Sequence, residues 1–399
     1  MSTPPDDFYA IRRLPPYVFA QVKELVSEAR GQGRDVIDLS MGSPDLGAPA
    51  MVTEALREAV LAPSSHRYSE SIGIKPLRDA QARYYERRFG VSLDPDTEVV
   101  CTLGSKNAFA NLATAITAPG DVILAPNPSY PIHMFGFVMA GGVVRPIPVR
   151  ADDEVFRAAD RALRYCVPRP IAMVLNYPAN PTAEVASLDF YREAVAYAKK
   201  NDLILLSDLA YAEIYFGEPT PSVLQVEGAK DVAVEFTSAS KSFSMAGWRM
   251  GFAVGNARLI SALTRVKAYL DYGSFDPIQQ AAVVALDHAE EITAEVRETY
   301  RRRLDVTLDA FAAAGWTLPR PQASMFVWAP LPEGAGADSL AFSKRMVCEA
   351  GVAFSPGTGF GEGGEGYVRI ALVEDEDTLR DAAARIGQAL GTMRSAALG

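Results

Sequence analysis

Cysteine and histidine are both scarce in this chain of 399 residues. The cysteines, Cys101, Cys166 and Cys348, are odd in number and far apart, which argues against a disulfide framework or a CxxC redox site. The histidines, His66, His133 and His288, are equally scattered, so no metal-ligand spacing is present and no metal site is expected. Positive charge is also short. Lys and Arg total 39 against 49 Asp and Glu, a formal charge of −10, so nothing electrostatic favours nucleic acid or an anionic membrane as a partner. One uncharged run, Val122–Val144, is long enough to span a bilayer, but it holds Pro126, Pro128 and Pro131. Those prolines would break the internal hydrogen bonding that lipid demands, so the run reads as a buried strand, a loop and a helix. The first 35 residues carry Asp, Glu, Arg and Pro throughout in place of an apolar leader, so a soluble, cytoplasmic protein is expected.

What the chain does have is hydrophobic content, 49% of its residues, enough to bury the cores of two or three domains. A polar arm, Met1–Pro16, precedes a helix expected over about Tyr17–Arg30. Seven short apolar runs follow: Val99–Thr102, Asp121–Ala125, Val143–Val149, Ile171–Asn176, Leu203–Ser207, Val232–Thr237 and Met250–Val254. Helical stretches such as Asn107–Thr117 and Ser187–Lys200 lie between them. Continuous apolar runs separated by helices predict an α/β fold whose mainly parallel sheet is covered by helices on both faces. Beyond Asp276 the pattern changes to a long helical region reaching Gly315, strands at Ser324–Ala329 and Tyr367–Leu372, and helices near Ser339–Ala350 and Asp375–Leu390. This reads as a smaller α/β domain. The expected division is 1–45 for the arm and a helix packing with the small domain, 46–275 for the large domain and 276–399 for the small one.

Several segments carry chemistry-bearing residues at strand ends. In SASKSFSMAGWRMGF, Lys241 follows an apolar run among small and hydroxyl residues, and Arg249 comes eight positions later. Charges beside core strands need partners, which an anionic ligand or a structural salt bridge would supply. Desolvation beside other cations would also lower the amine pKa of Lys241 and make it nucleophilic. Asp208 in SDLAY sits directly after LILLS, either facing a ligand crevice or capping a helix. NYPANPT presents Asn180 after another strand run, in a turn fixed by prolines. In TLGSKNAF, Gly104, Ser105 and Lys106 open a helix, as an ordinary cap or as a phosphate site. The glycine-rich GTGFGEGGEG formally contains GxGxxG at Gly359, Gly361 and Gly364, but a strand-like YVRIAL follows it, so a flexible loop is the better reading.

Taken in order, GSK, PNPSYP, NPT, SDxAY, SxSK and WR resemble the fold-type I pyridoxal-phosphate enzymes, specifically the class I/II aminotransferases, from about Pro16 to Ala371. PPYVFAQVKEL, DLSMGSPD, PNPSYPIH, AYLDYGSFDPIQ and ASMFVW look like the bacterial alanine–glutamate branch, close to the LL-diaminopimelate aminotransferases. The resemblance implies pyridoxal 5′-phosphate as cofactor, with Lys241 joined to its aldehyde carbon and Asp208 paired with its ring nitrogen. It implies that Asn180 and Tyr211 bond the ring oxygen and that Tyr130 covers the ring. The phosphate falls to Ser105, Lys106, Ser238 and Arg249, with Ser240 a less central participant. Arg369 would clamp the substrate α-carboxylate, with Gly42 against the substrate, Asn180 beside it and Tyr17 closing over it. Tyr68 matches a tyrosine that reaches the phosphate across a homodimer interface, which would make the active site shared. The implied activity is transfer of an L-amino acid's amino group to a 2-oxo acid, with alanine and 2-oxoglutarate first. LL-diaminopimelate and broad-specificity transfer, or β-elimination on the same scaffold, are the alternatives. One departure stands out: Ala183 replaces the glycine usual after NPT, where a positive φ is costly for alanine, so the turn is expected to differ slightly.

Overall fold

The computed structural model describes Phe8 and residues 11–398. Of the arm expected at Met1–Pro16, residues 1–7, 9 and 10 lie outside the described residues. The seven apolar runs become the seven strands of one sheet. Their order across it is Val99–Thr102, Gly251–Gly255, Ala233–Ser238, Ile204–Asp208, Pro170–Asn176, Val122–Pro126 and Val143–Ile147. Only Gly251–Gly255 runs against its neighbours; the other strands share one direction. The central strands are buried along almost their whole length, which is why they read as unbroken apolar runs. Val143–Ile147 is different. It is an edge strand with Val143 exposed and Pro146 in the ladder, where a missing N–H is tolerated. The uncharged run resolves as expected, into the strand Val122–Pro126, a loop and the helix Ile132–Met139, and no helix among the described residues is long and apolar enough to cross a membrane.

Helices fill both faces of the sheet. The helix Leu188–Asn201 starts where Ser187 accepts a hydrogen bond from the Phe190 N–H (3.1 Å), an N-cap that its sequence announces. The helix Ser105–Ile116 begins two residues before the expected Asn107, because Gly104 (φ +91°) turns the chain straight out of its strand. The long helical region beyond Asp276 is two helices, Asp276–Asp287 and Ala289–Ala313, broken at His288. Ala281, Ala282, Ala285 and Leu286 on the first of these pack into the large sheet's core.

A second core lies around a three-stranded antiparallel sheet of Ser355–Pro356, Tyr367–Ala371 and Phe326–Pro330, packed by Tyr300, Phe311, Trp316, Phe342 and Ile386. The N-terminal helix Val18–Gly31 buries Val22, Val26 and Ala29 against Val347 and Ala353 beside this second sheet. Ile37–Asp38 pairs in parallel with Val352–Ala353, which fixes where the chain leaves that helix. The result is an α/β molecule with a mainly parallel sheet and a smaller sheet whose edge faces it. Because the strands share a direction, Gly104, Asn180, Asp208 and Ser238 all follow or end strands at one rim of the large sheet. The reversed strand begins at that rim and so sets Arg249 there too.

Candidate active site

That rim and the facing small sheet enclose a cavity of about 510 Å³. Every site residue singled out in the sequence lines it except Tyr68. Tyr68 is 87% exposed and stacks its ring 4.8 Å from Tyr272, in a separate surface hollow with His66 and Phe275.

Asp208 is the only carboxylate among the cavity-lining residues described. Its Oδ2 lies 2.8 Å from Nε2 of the fully buried His133, whose Nδ1 lies 2.7 Å from the Ser129 hydroxyl. Its Oδ1 accepts from the Ala210 N–H (3.2 Å), so the residue caps its own turn and faces the cavity at once. The neighbouring strand end is tied to it: Asn176 donates to the Asp208 carbonyl (3.1 Å) and accepts from the Asn180 N–H (2.9 Å). Asn180 is thereby pointed into the cavity, its Nδ2 3.4 Å from the Tyr211 hydroxyl. Burial, the largest influence, raises the Tyr211 hydroxyl above its ordinary pKa and pushes Tyr130 up to about 12.

Lys241 is half-buried and donates to the Gly42 carbonyl. Burial first, then the nearby Arg369 and Arg249 charges, lower its amine from 10.5 to about 8. Gly42 admits no side chain: a Cβ there would sit 2.6 Å from the Phe326 ring, which itself supports Arg369 at 4.1 Å from its centroid. The structural salt bridge left open by the sequence is absent. Neither Lys241 nor Arg249 forms an ion pair among the described residues. Arg249 is exposed at the cavity, in left-handed backbone (φ +56°), donating to the carbonyls of Ala246 (2.8 Å) and Leu103 (3.4 Å). It crosses the start of Ser105–Ile116, whose first turn has no side-chain cap. A Cβ on Gly104 would fall 2.5 Å from its guanidinium. Uncapped N–H groups, an arginine and the Ser238 and Ser240 turn form a cradle suited to a phosphate.

Arg369 closes the other side. It is 5% exposed, yet no carboxylate pairs with it among the described residues. Its fork donates to Asn180 Oδ1 (2.8 Å), the Ser40 carbonyl (2.9 Å) and the Ser355 hydroxyl (3.3 Å), and its buried Nε has no partner among the described residues. The rings of Phe326 and Phe360 sandwich it, and burial lowers its pKa to about 10. A buried cation with only neutral partners is a site waiting for an anion.

The glycine-rich segment is a loop, as read, but a fastened one. It forms short turns at Gly357–Phe360 and Glu362–Gly364, accepts from the Ser129 N–H at Phe360 (2.8 Å) and donates from Gly363 to Asn127 (3.1 Å). It delivers Phe360 to the cavity. Ala183 does adopt the left-handed backbone (φ +58°), so the turn keeps the glycine-like conformation despite its Cβ. His133, Asn176, Phe326 and Phe360 escaped the sequence reading. All four lie in segments singled out in the sequence, PNPSYPIH, NYPANPT, ASMFVW and GTGFGEGGEG, but none of them carries a role there.

A family profile described as "Aminotransferase class I and II" matches residues 34–386. The chain is 59% identical over 389 residues to a putative aminotransferase AatC of Rhizobium meliloti, covering 97% of this chain and 96% of that one. It is 47% identical over 383 residues to the glutamate–pyruvate aminotransferase AlaC of Escherichia coli, covering 96% and 93%. It is 41% identical over 382 residues to the LL-diaminopimelate aminotransferase of Desulforudis audaxviator, covering 96% and 97%. Among solved structures, substrate-bound BacF of Bacillus subtilis superposes with a TM-score of 0.90 at 36% identity, covering 97% and 98%.

Proposed function

This chain belongs to the class I and II aminotransferases, and from that premise we propose that it is a pyridoxal 5′-phosphate enzyme moving the α-amino group between L-alanine and 2-oxoglutarate. The observation that carries the reading is the unpaired, pKa-lowered Lys241 set in one cavity with the His133-braced Asp208 and the anion-seeking Arg369. The residues present fit the cofactor. The cradle at Gly104–Lys106 with Ser238 and Arg249 suits its phosphate, and Asp208 offers a fixed carboxylate for its ring nitrogen. Asn180 and Tyr211 offer hydrogen bonds to its ring oxygen, and Tyr130 a face to cover it.

When bound, pyridoxal phosphate supplies an aldehyde carbon that takes up the amino group and a protonated ring that accepts electron density from Cα. Everything else falls to the chain. Asp208 holds a proton at the ring nitrogen, and His133 keeps that carboxylate in place. Arg369 grips the α-carboxylate in its fork and so turns the Cα–H bond toward Lys241. Lys241, neutral in useful proportion near its pKa of about 8, tethers the cofactor and then moves the proton as general base and acid. Phe326 and Phe360 exclude water around the clamp.

The choice of alanine and glutamate rests on the likeness to the glutamate–pyruvate enzyme of Escherichia coli; LL-diaminopimelate is the second donor to try. A homodimer in which Tyr68 reaches the neighbouring phosphate accounts for its exposed ring beside Tyr272. A cytoplasmic location belongs to the same reading. So does the domain division at 45 and 275.

The test is the visible absorption of the purified protein. L-alanine should abolish the cofactor band and pyruvate should restore it. A band that no amino donor changes, or pyruvate and ammonia released from a cysteine-like compound without any added 2-oxo acid, would replace transfer with another reaction.

A further inference from the structure

Cations crowd the cavity. Lys23, Lys106, Lys241, Arg249 and Arg369 line it, against the single carboxylate of Asp208, which His133 already engages. Four of the five have a visible occupation. Lys241 donates to Gly42 and Arg249 lies at the cradle. Lys106 stands 5.7 Å from the Tyr130 ring, and Arg369 forms the clamp. Lys23 has none.

Lys23 comes from the helix Val18–Gly31, which puts Phe19, Ala20 and Lys23 into the cavity wall. Residues four apart share a helix face, so Lys23 stands one turn beyond Phe19. The Phe19 ring meets Phe360 edge-on at 5.0 Å, and Phe360 lies 4.8 Å from the Arg369 guanidinium. Two ring contacts separate the face bearing Lys23 from the carboxylate clamp, and both line the same cavity. An acid three or four positions away would pair a lysine on a helix surface. Here those positions hold Phe19, Ala20, Val26 and Ser27, and no hydrogen bond or ion pair joins Lys23 to any described residue.

We propose that Lys23 is a specificity-determining residue that receives the distal carboxylate of a dicarboxylic substrate, an α-amino diacid or its 2-oxo counterpart, while Arg369 holds the α-carboxylate. The inference rests on the function proposed above. Its physical basis is charge balance. A phosphate at the cradle and one α-carboxylate at Arg369 satisfy the cations near them, and the excess that remains is at Lys23. In a half-enclosed cleft that excess is focused rather than dissipated. A long, flexible stem lets the ammonium reach a second carboxylate, or stay in water when the donor is as small as alanine. One pocket thereby accepts a short apolar and a longer acidic partner without a second arginine.

The experiment measures the rate at which L-glutamate and L-alanine discharge the cofactor band in the holoenzyme, for the wild type, Lys23→Gln, Lys23→Glu and Lys23→Arg. The ratio of the glutamate to the alanine second-order rate constant should fall at least tenfold in Lys23→Gln, further in Lys23→Glu, and stay near the wild-type value in Lys23→Arg. In the wild type that ratio should also fall as salt rises, and the salt effect should vanish in Lys23→Gln. A ratio within about twofold of wild type in both neutral and acidic variants overturns the proposal. So does a wild type that reacts with alanine and ignores glutamate, which leaves the aminotransferase reading standing. A band unmoved by every donor would instead sink that reading, and this inference with it.

Discussion

Two charges face the cavity from two different sheets, and they are held in opposite ways. Asp208, at a strand end of the large sheet, has a side-chain partner in His133, a backbone donor at Ala210 and a brace through Asn176. Arg369, in the small sheet, has only neutral acceptors, two aromatic faces and an unpartnered Nε. The first is complete without a ligand and the second is not. The difference separates the permanent from the exchangeable: a group that stays through every turnover is served by a finished site, and one that enters and leaves by an unfinished one.

The sharpest way to break this contrast is to remove the finished charge. Asp208→Ala should lower turnover about 10³-fold, the scale of a lost preorganised electrostatic contact, in single-turnover absorbance measurements with saturating alanine. A rate near wild type would mean that the electron sink needs no carboxylate. Arg369→Gln should act on the other side, lowering kcat/KM about 10²-fold with most of the loss in KM, because the gripped carboxylate is lost before chemistry begins. A loss confined to kcat would move Arg369 from binding to the chemical step.

A third test concerns the lysine between the two. Its folded pKa of about 8 lies below the ordinary 10.5, so between those pH values the unfolded chain binds the extra proton. The penalty is therefore fully present below pH 8 and is relieved as pH rises toward 10.5. Lys241→Met should stabilise the cofactor-free protein by about 1–3 kcal/mol at neutral pH, seen as a higher melting temperature, with the gap closing toward alkaline pH. A gap that does not change with pH would show that packing, not charge, is responsible. The smallest effect belongs to the turn that presents Asn180. Ala183→Gly should relieve the left-handed strain and add about 0.5–1 kcal/mol of stability in denaturant melts, with little change in rate. A destabilised variant would show that the buried methyl of Ala183 outweighs its backbone strain.

The large sheet was legible because buried parallel strands must be apolar throughout, and its chemistry-bearing residues sit where those runs stop. Asp208 after LILLS and Lys241 after VAVEFTSAS are signals of that kind. Arg369 was different. Its position within a strand gives no hint that the side chain is buried, and only the family resemblance marked it. His133 and Phe360 owe their meaning to contacts formed across long stretches of chain: His133 meets Asp208 75 residues away, and Phe360 meets a helix at the other end of the sequence. Tyr68 lies apart from the cavity within one chain, where no local pattern could place it. The division of the long helical region at His288 was equally hidden, since neither proline nor glycine marks it.

The bonds made by Arg369 reach 189 residues to Asn180 and 329 residues to Ser40. Contacts of such sequence separation form only after the intervening chain has closed, so they come late in folding. The cradle, by contrast, lies wholly between Gly104 and Arg249, at the strand ends of one sheet. During synthesis, then, the residues suited to a phosphate emerge before Arg369, and the clamp is completed only when both ends of the chain have arrived.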